Sequence, residues 1–216
     1  MNLEANIQKY LNGGADSEGR EPDARYASFD YCFNYFQSFR EAENIGAIAD
    51  PKNIQLSCLS LGFYLASWGM FRGSAELLQK SARHLRAAVE LIAAADTAIW
   101  NIDADCYTEQ SIQHLLDMGR TFRQLYPGMS DILVTKIMLG VFGNVPAFDT
   151  NFKKGFQVST FGPKALRKIS AFYQENQEVI ERYRTPTLDF VTGEATPHKY
   201  TRAKVIDMAF FVEGMS

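Results

Sequence analysis

The sequence predicts an all-α fold in a single helical domain spanning residues 1–216. Three observations lead there. Apolar residues return at helical spacing in segment after segment. Sustained period-two alternation, a hairpin dipeptide and a fixed repeat are not found. A chain of 216 residues with 46% hydrophobic content can bury one substantial core. Its 22% charged and 13% aromatic residues are those of a globular protein, since disordered chains lack the apolar surface to offset chain entropy.

Leu3 to Leu11 reads as a short helix ended by Gly13 and Gly14, and the polar stretch over 13–23 is expected to be a flexible linker. A second helix is expected from Asp23 or Arg25 to about Ala42. Phe29, Phe33 and Phe36 form one stripe on it, and Tyr31, Tyr35 and Phe39 form its neighbour. These aromatics suggest either a base-stacking platform or, more simply, a broad buried face. Pro51 suits a first helical turn, and Ile54 to Trp68 is apolar around most of its circumference, which predicts a central helix. Ser74 is expected to cap a long helix to about Ala95, with Leu77, Leu78, Ala82, Leu85, Val89 and Ile92 inward. Tyr107 to Leu125 reads as amphipathic and ends at Pro127 and Gly128. Ser130 or Asp131 then caps a helix through Phe142. Further helices are expected from Phe148, from Gly162 to Arg184, and from Tyr200 to Val212.

Cys32, Cys58 and Cys106 lie far apart without the spacing of a zinc knuckle or redox motif, which predicts free thiols. That odd count, with no basic segment leading into an apolar one at the N-terminus, predicts a cytoplasmic location. The uncharged run Asn53 to Phe71 holds too many polar residues and glycines for a membrane span. Asn101, Asp103 and Asp105 alternate like the start of a calcium loop. Cys106 and Ile112 stand where that loop needs glycine and glutamate, so helix capping ahead of Tyr107 fits better. No cofactor or metal site is expected.

The net charge of −3 is unevenly spread. Residues 1–50 carry nine acidic and four basic side chains, whereas residues 151–216 carry seven and ten. Lys153, Lys154, Lys164, Arg167 and Lys168 account for half of those ten. A cluster of this kind is either a solvated face or a phosphate-contacting patch.

Tyr126, Pro127 and Gly128 precede a capped apolar helix ending in Val141, Phe142 and Gly143; Val145, Pro146, Ala147, Phe148, Asp149 and Thr150 follow. This order resembles the helix-hairpin-helix DNA glycosylase superfamily, in which a Pro-Gly-x-Gly hairpin leads into a helix, a turn with proline and an Asp-Thr pair. The resemblance covers about 25 residues and implies a glycosylase-like helical scaffold that acts on an N-glycosidic bond in duplex DNA. It would make Gly128, Met129 and Ser130 a phosphate clamp and Asp149 the carboxylate that stabilises a sugar cation. Ser130 stands where the family has its second glycine, and Asp131 adds a negative charge beside it. The family's Schiff-base lysine would fall near Ile132, with Lys136 one turn further on, so the resemblance implies a monofunctional enzyme. Two plainer accounts stand beside it. Asp149 is also an ordinary helix N-cap, and the chain also fits a non-catalytic helical module that binds a protein partner through its aromatic helix or the Trp68 to Arg72 turn.

Overall fold

Two helices are buried on nearly every side, and both follow from sequence that is apolar all round. Residues 134–142 of α7 (Asp131–Phe142) are buried without interruption, as are residues 203–212 of α11 (Arg202–Met215). The computed structural model describes residues 1–14, 18–73 and 76–215. Among these the protein is mainly α-helical, and one apolar cluster runs from Leu3 to Val212.

Around the two central helices lie α1 (Leu3–Asn12), α2 (Ala27–Glu41), α3 (Ile54–Ser67), α4 (Arg86–Ala93), α5 (Thr97–Trp100) and α6 (Glu109–Leu125), together with α8 (Thr150–Phe156), α9 (Pro163–Glu175) and α10 (Gln177–Arg182). The α2 aromatics are chiefly core: Phe29, Phe33 and Phe36 are buried, and Gln37 Nε2 donates to the Val141 carbonyl of α7 at 2.9 Å. α8 crosses α11 with glycines at the contact. A Cβ on Gly155 would run into the Phe210 carbonyl oxygen, and one on Gly214 into that of Asn151, so only glycine permits this approach. α1 lies on α11, where Asn6 Nδ2 donates to Glu213 Oε2 at 2.7 Å.

Several expectations need correcting. α3 is not central, because Leu56, Leu59 and Phe63 stand exposed on one face, Phe63 at 71%. Pro51 sits in a turn ahead of that helix. The long helix expected up to Ala95 is instead two 3-10 turns, Glu76–Gln79 and Ala82–Leu85, leading into α4. Ser81 between them is extended (ψ 165), which breaks the ladder while Leu77, Leu85, Val89 and Ile92 still face the core. Ser74 lies outside the described residues. The helix expected over Gly162 to Arg184 is interrupted at Asn176 (φ −125, ψ 21).

A hairpin that the sequence did not announce pairs β1 (Pro186–Leu188) with β2 (Ala195–Lys199), antiparallel. Buried side chains hold it in place. Asp30 Oδ2 accepts from the Leu188 amide at 2.9 Å, and Thr187 Oγ1 donates to Asn34 Oδ1 at 2.7 Å. The segment expected to be a flexible linker is anchored on either side of residues 15–17, which lie outside the description. Arg20 N donates to the Leu11 carbonyl at 2.8 Å, and the Arg20 guanidinium pairs with buried Asp30 at 3.2 Å.

Candidate active site

The only charged residue between Asp131 and Asp149 is Lys136, in the middle of apolar α7. A buried ammonium needs partners. Lys136 Nζ donates to the Trp68 carbonyl oxygen at 2.7 Å and lies 3.6 Å from Asp149 Oδ2. Burial holds the amine below its usual range, and the Asp149 charge opposes that shift.

Asp149 is fixed by local chemistry. It caps α8, its Oδ1 accepting from the Phe152 amide at 3.0 Å, which leaves Oδ2 for Lys136. The turn that delivers it begins at Gly143, whose left-handed backbone (φ 67) ends α7. Amides along the turn are satisfied from within the core: Ala147 N donates to Asp207 Oδ1 at 2.9 Å, and Phe148 N to Thr135 Oγ1 at 2.8 Å.

Asp207 belongs to a second buried pair directly behind the first. Lys204 Nζ lies 3.1 Å from Asp207 Oδ2 and 3.0 Å from the Tyr10 hydroxyl, between the rings of Tyr10 and Phe29 at 4.7 and 4.6 Å from their centroids. Burial raises the Asp207 carboxyl, and the Lys204 charge opposes that rise. Tyr10, Tyr26 and Trp68 stack nearly parallel, 4.3 Å apart for the first pair and 5.4 Å for the second, with Phe211 edge-on to all three.

Above this floor opens a cleft of about 560 Å³ lined by Arg25, Trp68, Gly69, Met70, Arg72, Ile132, Lys136, Asp149, Thr150, Asn151, Phe211 and Met215. A half-buried carboxylate beside a buried amine whose burial favours its neutral form can stabilise a developing cation, move a proton, or attack an electrophilic carbon. Among the described residues no group of three or more His, Cys, Asp or Glu is placed to hold a metal ion. Comparison with protein-family models, curated proteins and solved structures finds no match for this chain. Among the described residues no helix is long and apolar enough to cross a membrane.

Of the residues expected to contact DNA or act on the sugar, Asp149 alone lines this cleft; the Trp68 to Arg72 turn, offered in the sequence as a protein interface, lines it too. Gly128, Met129 and Ser130 border a separate, mainly apolar cavity of about 280 Å³ beside His84 and Tyr126. There Ser130 caps α7 by accepting from Leu133 N at 3.3 Å, and Asp131 accepts from Phe161 N at 2.8 Å and pairs with Arg123. Lys153, Lys154, Lys164 and Lys168 lie outside the cleft. Lys168 Nζ donates to the Phe156 carbonyl at 2.6 Å and so closes the end of α8, while Arg167 pairs with Glu109 at 2.7 Å.

The sequence reading gave no site role to Arg25, Phe211 or the Lys204–Asp207 pair, offered the Trp68 to Arg72 turn only as a protein interface, and discounted Lys136. For Lys136, Lys204 and Asp207 a signal existed: charge inside an otherwise apolar helix. For Arg25 and Arg72 there was none, because each reads as ordinary surface charge.

Proposed function

We propose that the Lys136–Asp149 cleft cleaves the N-glycosidic bond of a nucleotide in a DNA strand, as a base-excision enzyme. The observation that carries this reading is the 3.6 Å contact of a buried amine and a capping carboxylate at the floor of an aromatic-walled cleft. The turn resembling the helix-hairpin-helix glycosylases also delivers Asp149 to that floor. Its carboxylate faces the charge that develops on the sugar as the base departs. Lys136 orients Asp149; if it passes a proton to the departing base, its neutral amine can bond to the sugar carbon in place of water as the glycosidic C–N bond breaks and the base leaves with the bonding pair. A second proton then passes to Asp149 and on to the ring oxygen as the sugar opens, which leaves an imine. That differs from the monofunctional expectation, which rested on Ile132 occupying the family's lysine position, and the borohydride arm below decides between the two.

The test is incubation with duplexes carrying a central damaged base or an abasic-site mimic, with and without borohydride. Base release with a trapped Lys136 adduct identifies the amine as nucleophile, and release without an adduct assigns water. Absence of both selective binding and release across the panel overturns the reading.

A second reading draws on another surface. Leu56, Leu59, Phe63, Phe190 and Val191 are exposed at 55, 48, 71, 76 and 88%, and clustered apolar surface marks contact with another macromolecule. α3 carries no charged residue, so two copies could meet there without like-charge repulsion. A concentration-dependent dimer abolished by Phe63→Asp favours this reading; a strict monomer removes it.

A further inference from the structure

Trp68 is surrounded by cations. The Arg25 guanidinium carbon lies 5.2 Å from its ring centroid, Lys204 Nζ 5.5 Å and Lys136 Nζ 5.7 Å. Both lysines have carboxylate partners. Arg25 has none among the described residues: its guanidinium rests on the faces of Tyr26 and Trp68. Arg72 also lines the cleft without an ion pair or hydrogen bond among the described residues. Its guanidinium occupies the space that a Cβ on Gly69 (φ 78) would take, so that glycine seats the arginine against the wall. With Arg25, Arg72 and Lys136 set against Asp149, the lining carries more positive than negative charge. The buried Trp68 Nε1 has no acceptor among the described residues.

Two unpaired guanidinium groups beside an aromatic wall describe a particular kind of ligand. A guanidinium presents a planar fork of donors that matches a phosphate, and an excess of positive charge in a cleft draws anions. An indole face accepts a base or a sugar ring. The volume suits a ligand of nucleotide size. We propose that the cleft holds a phosphate group carried on a nucleoside, with Arg25 and Arg72 as its phosphate ligands and Trp68 as the platform for the ring. This rests on the base-excision reading and deepens it, moving the phosphate contact from the Lys153 to Lys168 cluster to two arginines at the reacting site. The phosphate can belong to a DNA strand or to a free mononucleotide.

The experiment follows Trp68 emission in a Trp100→Phe background during titration with thymidine 5′-monophosphate, thymidine, and a duplex carrying an abasic-site mimic. The monophosphate is expected to bind at least about 10-fold more tightly than thymidine, a difference near 1.4 kcal/mol. Arg25→Gln with Arg72→Gln should erase that preference and lower the salt slope of duplex binding by about one or more. Both arginines are exposed, so the double variant should keep its melting temperature, and the corresponding double Lys variant should keep part of the preference. Equal affinity for thymidine and its monophosphate, binding of neither, or a double Gln variant that retains the preference overturns the proposal. Mononucleotide binding without duplex binding upholds the arginine site and sinks base excision from DNA. Base release and a salt slope that survive the double Gln variant sink the arginine site and leave base excision standing.

Discussion

Asp207 Oδ1 accepts the Ala147 amide at 2.9 Å while its Oδ2 holds Lys204 at 3.1 Å, so one carboxylate fixes both the turn before Asp149 and the ammonium beneath Trp68. The Lys136–Asp149 pair at the cleft floor therefore stands on a second buried pair, and its geometry depends on α11 as much as on α7 and α8. Asp207→Asn can still accept the Ala147 amide but leaves Lys204 without its counter-charge. It is expected to destabilise the protein by about 3–5 kcal/mol, as loss of one member of a buried pair does. Urea unfolding followed by circular dichroism measures this; a loss below about 1 kcal/mol would mean that the pair is dispensable.

Removing Lys136 strands two acceptors, the Trp68 carbonyl and Asp149 Oδ2. Lys136→Ala should cost about 3–5 kcal/mol. Lys136→Met combined with Asp149→Asn should cost less than Lys136→Ala, because no buried charge is left unpaired and Asn still caps α8. A double-mutant cycle on unfolding free energy gives the coupling.

Asp149→Asn keeps the helix cap and removes the charge. On the proposed base-excision reading, base release should fall by about 10²–10³-fold, the scale on which a single electrostatic contact to a transition state acts. Single-turnover rates on the substrate found in the duplex panel provide the measurement. Undiminished release would dismiss Asp149 from the chemistry.

The crossing of α8 and α11 tolerates no side chain at its closest point. Gly214→Ala forces the Asn151 backbone outward and is expected to cost about 2–3 kcal/mol. Because Asn151 and Asp149 share the cleft wall, the same change should, on the proposed reading, weaken binding of an abasic-site duplex. Thermal melting and duplex titration of this one variant check both effects.

Asp30 supplies a pH dependence whose sign is fixed. Burial pushes its carboxyl up to about 6, although Arg20, the Tyr200 hydroxyl and the Leu188 amide all favour the charged form. A carboxyl raised above its unfolded value of 3.8 binds more protons when folded, so its contribution to stability grows as pH falls from about 6 toward 4 and is lost on the way back up. The shift is on the order of 3 kcal/mol at 1.36 kcal/mol per unit. The carboxyl carbon resonance of Asp30 should titrate near 6; a midpoint near 4 would refute this.

What could be read from the sequence follows from where information is local. Ser130 announces α7, and the apolar run after it dictates burial, so that helix was legible to its last residue. The hairpin was not, since β2 reads Ala-Thr-Pro-His-Lys without an apolar alternation; Asp30 and Asn34, more than 150 residues away, hold β1 in place. The break at Ser81 was hidden for a related reason: the inward stripe survives although the backbone between its members is extended. At the site, Asp149 could be named from the turn that carries it. Trp68, Arg25 and Arg72 acquire meaning only once tertiary packing brings residues 25, 68–72 and 136–149 around one space.

The contact of α1 with α11 bears on the order in which the protein can be made. Asn6 finds Glu213 and the Ala209 carbonyl, and the Tyr10 hydroxyl finds Lys204. Asn6 and Tyr10 of α1 are therefore matched only once α11, which follows much later in the chain, is in place. Until residues 202–215 emerge, Trp68 lacks Phe211, and the Ala147 amide before Asp149 lacks Asp207. A nascent chain stalled short of residue 202 should expose its aromatic wall to chaperones and proteases, and the cleft can form only after synthesis of α11.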